Sequence, residues 1–194
     1  LTFAADLRPI VRQDPNIIMV GEIRDHETAA VAVQAALTGH LVLSTLHTND
    51  APSAVLRLLN MGVEPFAVLA AVRAVVAQKL IRKVCDGCAQ PARPTEQQLA
   101  ALGSDRAMLN QASFRMGTGC EKCLGGGYRG RIAIFEVLKL TDAIKECFLD
   151  GSNLMAARRQ AISEGMQTLR QSALLHVATG NTTLDEAIAL TLES

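Results

Sequence analysis

Hydrophobic residues in this chain come in short blocks, each closed by glycine or by a change to polar residues. Ile17-Ile18-Met19-Val20 lies between the turn signal Asp14-Pro15 and Gly21, a pattern that predicts a fully buried strand of a parallel sheet. Asp25 is placed as an N-cap for a helix over Glu27–Leu37, rich in alanine and valine and nearly free of charge, which Gly39 ends. Leu41 to His47 repeats the strand pattern, apolar at first and polar at its carboxyl end. Asp50 and Pro52 open a second helix, with Val55, Leu58 and Leu59 on its apolar face, that stops at Gly62. A third apolar helix starts at Phe66 and leads to Val75–Val84, whose later part reads as a strand with basic residues on one side. Strand, helix, strand, helix implies an α/β fold with parallel strands. Ahead of these blocks, Phe3, Leu7, Ile10 and Val11 are spaced as in a helix limited by Pro9, with Arg8 and Arg12 on one face.

The second half changes character. Pro91 to Pro94 is turn-rich, and Thr95-Glu96-Gln97-Gln98-Leu99 reads as a helix start. Ile132 to Val137 alternates as a strand, flanked by Arg129 and Arg131, which are expected to be solvated or paired with acidic neighbours. From Thr141 onward short helices follow: one from Thr141-Asp142, one from Ser152, one from Thr168 to near Gly180, and a last one with a capping box at Thr183-Leu184-Asp185-Glu186.

Composition adds limits. The 194 residues are 49% hydrophobic and 20% charged, with a formal net charge of zero, a globular profile that argues against a large nucleic-acid footprint. The segment from Phe66 to Ala77 is too short to span a bilayer and carries Arg73. The first residues already read as the interior of a domain, so the chain is expected to be a fragment.

Three groups carry candidate chemistry. Glu22 and Arg24 follow a strand end, where ligands of parallel sheets bind. A carboxylate there can hold Mg²⁺ through water or orient an attacking water, and an arginine can meet phosphate charge. The competing reading is a solvated Glu22–Arg24 ion pair. His40 and His47 bracket the second strand, and His47 is followed by Thr48, Asn49 and Asp50. Cys85-x-x-Cys88 and Cys120-x-x-Cys123 are two turns that can aim four sulfurs at one point, the tetrahedral arrangement structural Zn²⁺ accepts. Two independent reduced pairs or disulfides are the alternative. Cys147 reads as a buried small hydrophobe.

Together these motifs resemble the C-terminal part of the ATPases of type II secretion and type IV pilus assembly. The resemblance rests on Leu7-Arg8-x-x-Val11-Arg12-Gln13-Asp14-Pro15-Asn16, Met19-Val20-Gly21-Glu22-Ile23-Arg24-Asp25, and Thr38-Gly39-His40-Leu41-Val42-Leu43-Ser44-Thr45-Leu46-His47-Thr48-Asn49. Gln78-Lys79-Leu80, the two cysteine pairs and Gly127-Tyr128-Arg129-Gly130-Arg131 complete it. It implies part of a RecA-like ATPase core over 1–84, a tetracysteine zinc-binding insertion over 85–127, a return strand over 128–140 and a small helical subdomain over 141–194. Gly21-Glu22 would match the family's Walker B motif, with Glu22 holding Mg²⁺ or activating the lytic water. His47, supported by His40, would match the family's His box and contact the γ-phosphate of ATP. Arg8 and Arg24 match arginines tied to hydrolysis and to contacts within a homo-hexamer. Cys85, Cys88, Cys120 and Cys123 would hold zinc. The tetracysteine element favours assembly or export motors over retraction motors.

The resemblance further implies a cytoplasmic protein, peripheral to the inner membrane through its partners. One such partner would be the inner-membrane platform protein of the machine, with no nucleic acid bound. No Gly-x-x-x-x-Gly-Lys-Ser/Thr phosphate loop occurs in the chain, so these 194 residues are expected to show no ATP hydrolysis alone. Other readings are a non-catalytic zinc-dependent interaction module and a related ring ATPase of conjugation or DNA uptake.

Overall fold

The structure is a computed structural model that describes residues 9, 13, 15–149 and 153–192. The helix expected around Arg8 and Arg12 lies outside them. In chain order the elements are β1 (Ile17–Val20), α1 (His26–Leu37), β2 (Leu41–Ser44), α2 (Ala51–Asn60), α3 (Pro65–Ala71), β3 (Ala74–Val84), β4 (Ala89–Pro91), α4 (Glu96–Ala100), β5 (Arg115–Gly117), β6 (Tyr128–Lys139), α5 (Asp142–Leu149), α6 (Leu154–Ser163), α7 (Leu169–Ala178) and α8 (Leu184–Leu192). They gather into two compact units that interleave in sequence. The first takes 1–76 and 137–166, the second 77–136 and 167–194. α5 and α6 thus fall in the first unit, α7 and α8 in the second.

In the first unit β1 and β2 pair in parallel, Ile17 opposite Leu41 and Val20 opposite Ser44. Asp25 starts α1 by accepting the Thr28 amide at 2.8 Å, and Glu27 sits in the positive first turn. After the Thr38 cap, Gly39 takes φ +105, a conformation that costs a Cβ-bearing residue. Ile18 and Val20 pack with Ala29, Ala32, Val33, Leu58 and Val68 in one core. The small residues of α1 let the helix lie close to the strands.

The expected full burial of β1 does not occur. Ile17 is 60% and Met19 80% exposed, as are about half of Leu41 and Leu43. Among the described residues β1 and β2 pair only with each other, and the core covers one face of the pair. The alternate face of four aliphatic side chains is left open.

In the second unit Ile81 and Ile134, one from each strand of the β3–β6 pair, share a core with Leu109, Leu169, Leu174, Val177 and Leu184. Arg82 fastens α8 to β3. Its backbone amide donates to Glu186 Oε1 at 3.0 Å, its Nε and Nη2 donate to Oε2 at 2.9 and 2.6 Å, and its guanidinium lies 4.2 Å over the Tyr128 ring. The expected capping box at Thr183 is therefore formed in half. Thr183 accepts the Glu186 amide, while the Glu186 carboxylate turns to Arg82. Glu136, 1% exposed, accepts the Leu169 amide at the start of α7 at 3.3 Å, where the helix dipole favours a negative charge.

Two smaller expectations change. The cap of α6 is Asn153, which accepts the Ala156 amide at 2.9 Å, while Ser152, expected to start the helix, lies outside the described residues. Cys147 is half-buried, and its thiol donates to the Ala143 carbonyl. No helix among the described residues is long and apolar enough to cross a membrane.

Candidate functional site

Because β1 and β2 are parallel, their carboxyl ends emerge on the same side. The two exits are laced together: the Ile23 amide donates to the Thr45 carbonyl at 3.0 Å, and the Thr45 hydroxyl donates to the Gly21 carbonyl at 2.7 Å. Glu22 and His47 are thereby held side by side. The Glu22 Oε2 lies 3.2 Å from His47 Nε2 and 2.7 Å from Arg24 Nε. The Arg24 hydrogen bond is the main cause that holds the Glu22 carboxyl below its ordinary value. Desolvation opposes the shift, and His47 adds to it. Glu22 is therefore ionised at neutral pH.

Arg24 and His47 are 72% and 85% exposed at the side chain. Such open pairs are screened by solvent and add little to stability. Both the carboxylate and its two nitrogen partners can exchange this contact for a ligand at little cost.

The other expected members are placed differently. His40 precedes β2 and His47 follows it, so the strand separates them and His40 does not join the cluster. His40 Nδ1 lies 3.0 Å from the Ala35 carbonyl oxygen, and its Nε2 is buried without a hydrogen-bond partner among the described residues. Arg8 lies outside the described residues. Thr45, which joins the two strand exits, was not singled out by the sequence pattern. Its hydroxyl sits one residue past a strand end, the only hint available.

A second centre lies in the other unit. Cys85 leaves β3 with its amide donating to the Gly127 carbonyl at 3.0 Å, and the Cys88 amide closes the first turn onto the Cys85 carbonyl at 3.1 Å. Cys120 and Cys123 form the matching turn. All four sulfurs lie within 4.8 Å of one another, and the Cys85–Cys120, Cys88–Cys123 and Cys120–Cys123 separations are each 3.8 Å. A tetrahedron of sulfurs about 2.3 Å from a central zinc has an edge of about 3.8 Å, so the donor set fits that ion. The separations are far too long for disulfides, whose S–S bond is about 2.05 Å, and the cysteines are free. The Cys120 and Gly127 amides point at the Cys123 sulfur from 3.2 and 3.3 Å. With the Cys120 amide as the main cause, the Cys123 thiol is lowered to about 6. Burial raises Cys88 to about 11. One sulfur of the set is thus already prepared as a thiolate.

The sequence model of the family described as "Type II/IV secretion system protein" matches residues 1–189. The chain is 49% identical over 193 residues to the type IV pilus assembly ATPase PilB of Thermus thermophilus, covering 100% of this chain and 22% of that protein. It is 48% identical to PilB of Myxococcus xanthus, covering 98% and 34%. Against type II secretion system protein E of Aeromonas hydrophila it is 45% identical, covering 100% and 38%. The chain therefore spans between a fifth and two fifths of the length of these relatives. Among solved structures it superposes on the Legionella pneumophila ATPase DotB with a TM-score of 0.68 at 22% identity, covering 100% of this chain and 43% of that one. The pilus retraction motor PilT with bound ADP gives 0.65 at 25% identity, covering 97% and 43%. The α/β arrangement agrees with the solved structures, and with the family model matching nearly its whole length the chain belongs to the type II/IV secretion system protein family.

Proposed function

We propose that this chain is the water-handling and phosphate-sensing part of a RecA-like ATPase core, in a homo-hexameric motor that powers type II secretion or type IV pilus assembly. The observation that carries the reading is the meeting of Glu22, His47 and Arg24 at the common carboxyl end of two parallel strands. An ionised carboxylate there accepts a proton from water or orients it, while His47 and Arg24 offer N–H donors to phosphate oxygens. ATP is the substrate, and Glu22 is the residue that would hold Mg²⁺. When bound, that ion neutralises charge on the β- and γ-phosphates. His40 supports the strand at its far end, and Arg8 serves hydrolysis or subunit contact.

Names given to the relatives, pilus assembly ATPase and type II secretion protein E, support this reading. So does the likeness to a motor solved with ADP. The grip on the triphosphate comes from a phosphate loop outside these 194 residues. Cys85, Cys88, Cys120 and Cys123 hold a structural zinc with no open position for water. The motor works on the cytoplasmic face of the inner membrane, against a membrane platform protein.

The test is ATP hydrolysis by the longer protein carrying the phosphate loop. Glu22→Gln is expected to lower kcat by about 10²–10⁴-fold, the range for loss of a general base, with little change in nucleotide affinity. The 194-residue chain alone is expected to be inactive. Unchanged turnover in the Glu22→Gln protein would overturn the assignment.

A further inference from the structure

Asp50 is the least exposed carboxylate near the His47 loop, at 9%, and its two oxygens serve different elements. Oδ1 accepts the Ser53 amide at 2.8 Å and caps α2. Oδ2 accepts Arg158 Nη1 at 3.2 Å, from α6, 108 residues further along the chain. The Thr48 hydroxyl donates to the Asp50 carbonyl at 3.2 Å, so residues 48–50 are tied from both sides. Among the described residues the His47 ring has no comparable anchor. Its side chain is 85% exposed, and it is held at Glu22 by one 3.2 Å contact. The ring's position is therefore set by the backbone between the Thr45 lacing and Asp50.

From this geometry we infer that Arg158 is a positioning residue for His47, acting through Asp50. N-capping of α2 needs only one side-chain oxygen, which an asparagine supplies as well as an aspartate. The second oxygen and the charge are free for another task, and α6 brings a guanidinium to them. Without Arg158 a largely buried carboxylate keeps an unpaired charge, an arrangement expensive enough to turn the side chain toward water. That rotation moves residues 48–50 and with them His47. The same linkage runs in reverse: a shift of α6 pulls the imidazole toward or away from Glu22. Its meaning for hydrolysis rests on the function proposed above; the linkage itself does not.

Backbone ¹⁵N relaxation of the 194-residue chain, without nucleotide, tests it. The amides of His47, Thr48 and Asn49 are expected in the rigid range, with order parameters of about 0.85, falling below about 0.6 in Arg158→Ala. Arg158→Lys, which keeps a positive charge in reach of Oδ2, should restore much of the order. Asp50→Asn, which keeps the cap oxygen and removes the charge, should leave residues 47–49 rigid, and added to Arg158→Ala it should restore their order; this double variant decides the matter if Arg158→Ala fails to fold. Lys145→Ala, which breaks the surface pair with Asp142, should leave the loop unchanged. Rigid 47–49 amides in Arg158→Ala, amides as loose in the double variant as in Arg158→Ala, or equal loosening in Lys145→Ala, would overturn the inference. Because nothing is hydrolysed, this result stands apart from the turnover of the Glu22→Gln protein.

Discussion

Gly117 and Gly127 meet backbone to backbone beside the cysteine cluster. A Cβ built on Gly117 overlaps the Gly127 carbonyl, the same carbonyl that receives the Cys85 amide. Gly117→Ala is therefore expected to cost about 1–3 kcal/mol, in the manner of overpacked sites, and to weaken metal retention, whereas Gly126→Ala meets only an ordinary contact. Thermal melts with metal analysis of both variants check this. Local spacing does not record this approach, because Gly117 ends β5 and Gly127 precedes β6. Glu22 and His47 were legible for the opposite reason. Each stands just past an apolar strand run, and parallel pairing brings strand ends together. The link from Asp50 to Arg158 left no local trace, since its partners lie on helices far apart in the chain.

At the scale of elements, starts were read more accurately than extents. Asp25, Asp50, Thr95 and Thr168 all cap the helices expected of them, because a cap is a local bond between a side chain and a nearby amide. β6 runs from Tyr128 to Lys139, well beyond the alternating Ile132–Val137 stretch. Pairing with β3 carries it through Gly130, which local propensity marks as a turn. Glu186 shows the same override, since Arg82 takes the carboxylate from the capping box. Burial alone would raise the Glu186 carboxyl, but its bonds to Arg82 outweigh that and hold it below its ordinary 4.5. A carboxyl depressed in the folded state gives stability that is complete above its unfolded value and is lost as pH falls through the folded one. The wild type is thus expected to exceed Glu186→Gln by about 1 kcal/mol at neutral pH, discounted for the 59% exposure of Arg82. That advantage should vanish as melts are taken from pH 5 toward pH 3; an advantage that grew on acidification would contradict the assignment.

Over the whole molecule the two units differ in what orders them. The first has a strand-and-helix core drawn from Ile18, Val20, Ala29 and Val33, whose burial needs no ligand. In the second, 85–127 contains only short strands and helices, and its cysteine turns place four sulfurs together with amides that favour thiolate at Cys123. Four close sulfurs gain little from one another unless a cation draws them in. Structural zinc in small peptides binds with about 10–16 kcal/mol of apparent free energy, enough to decide whether such a segment is ordered. If the four sulfurs hold zinc as proposed, a chelator is expected to raise amide hydrogen exchange across 85–91 and 115–127, while amides of β1, α1 and β2 exchange as before. Cys120→Ser should reproduce the pattern without a chelator. Uniform loss of protection in both units would show that the metal holds the whole chain rather than its own segment, and protection unchanged at 85–127 would show that it holds neither.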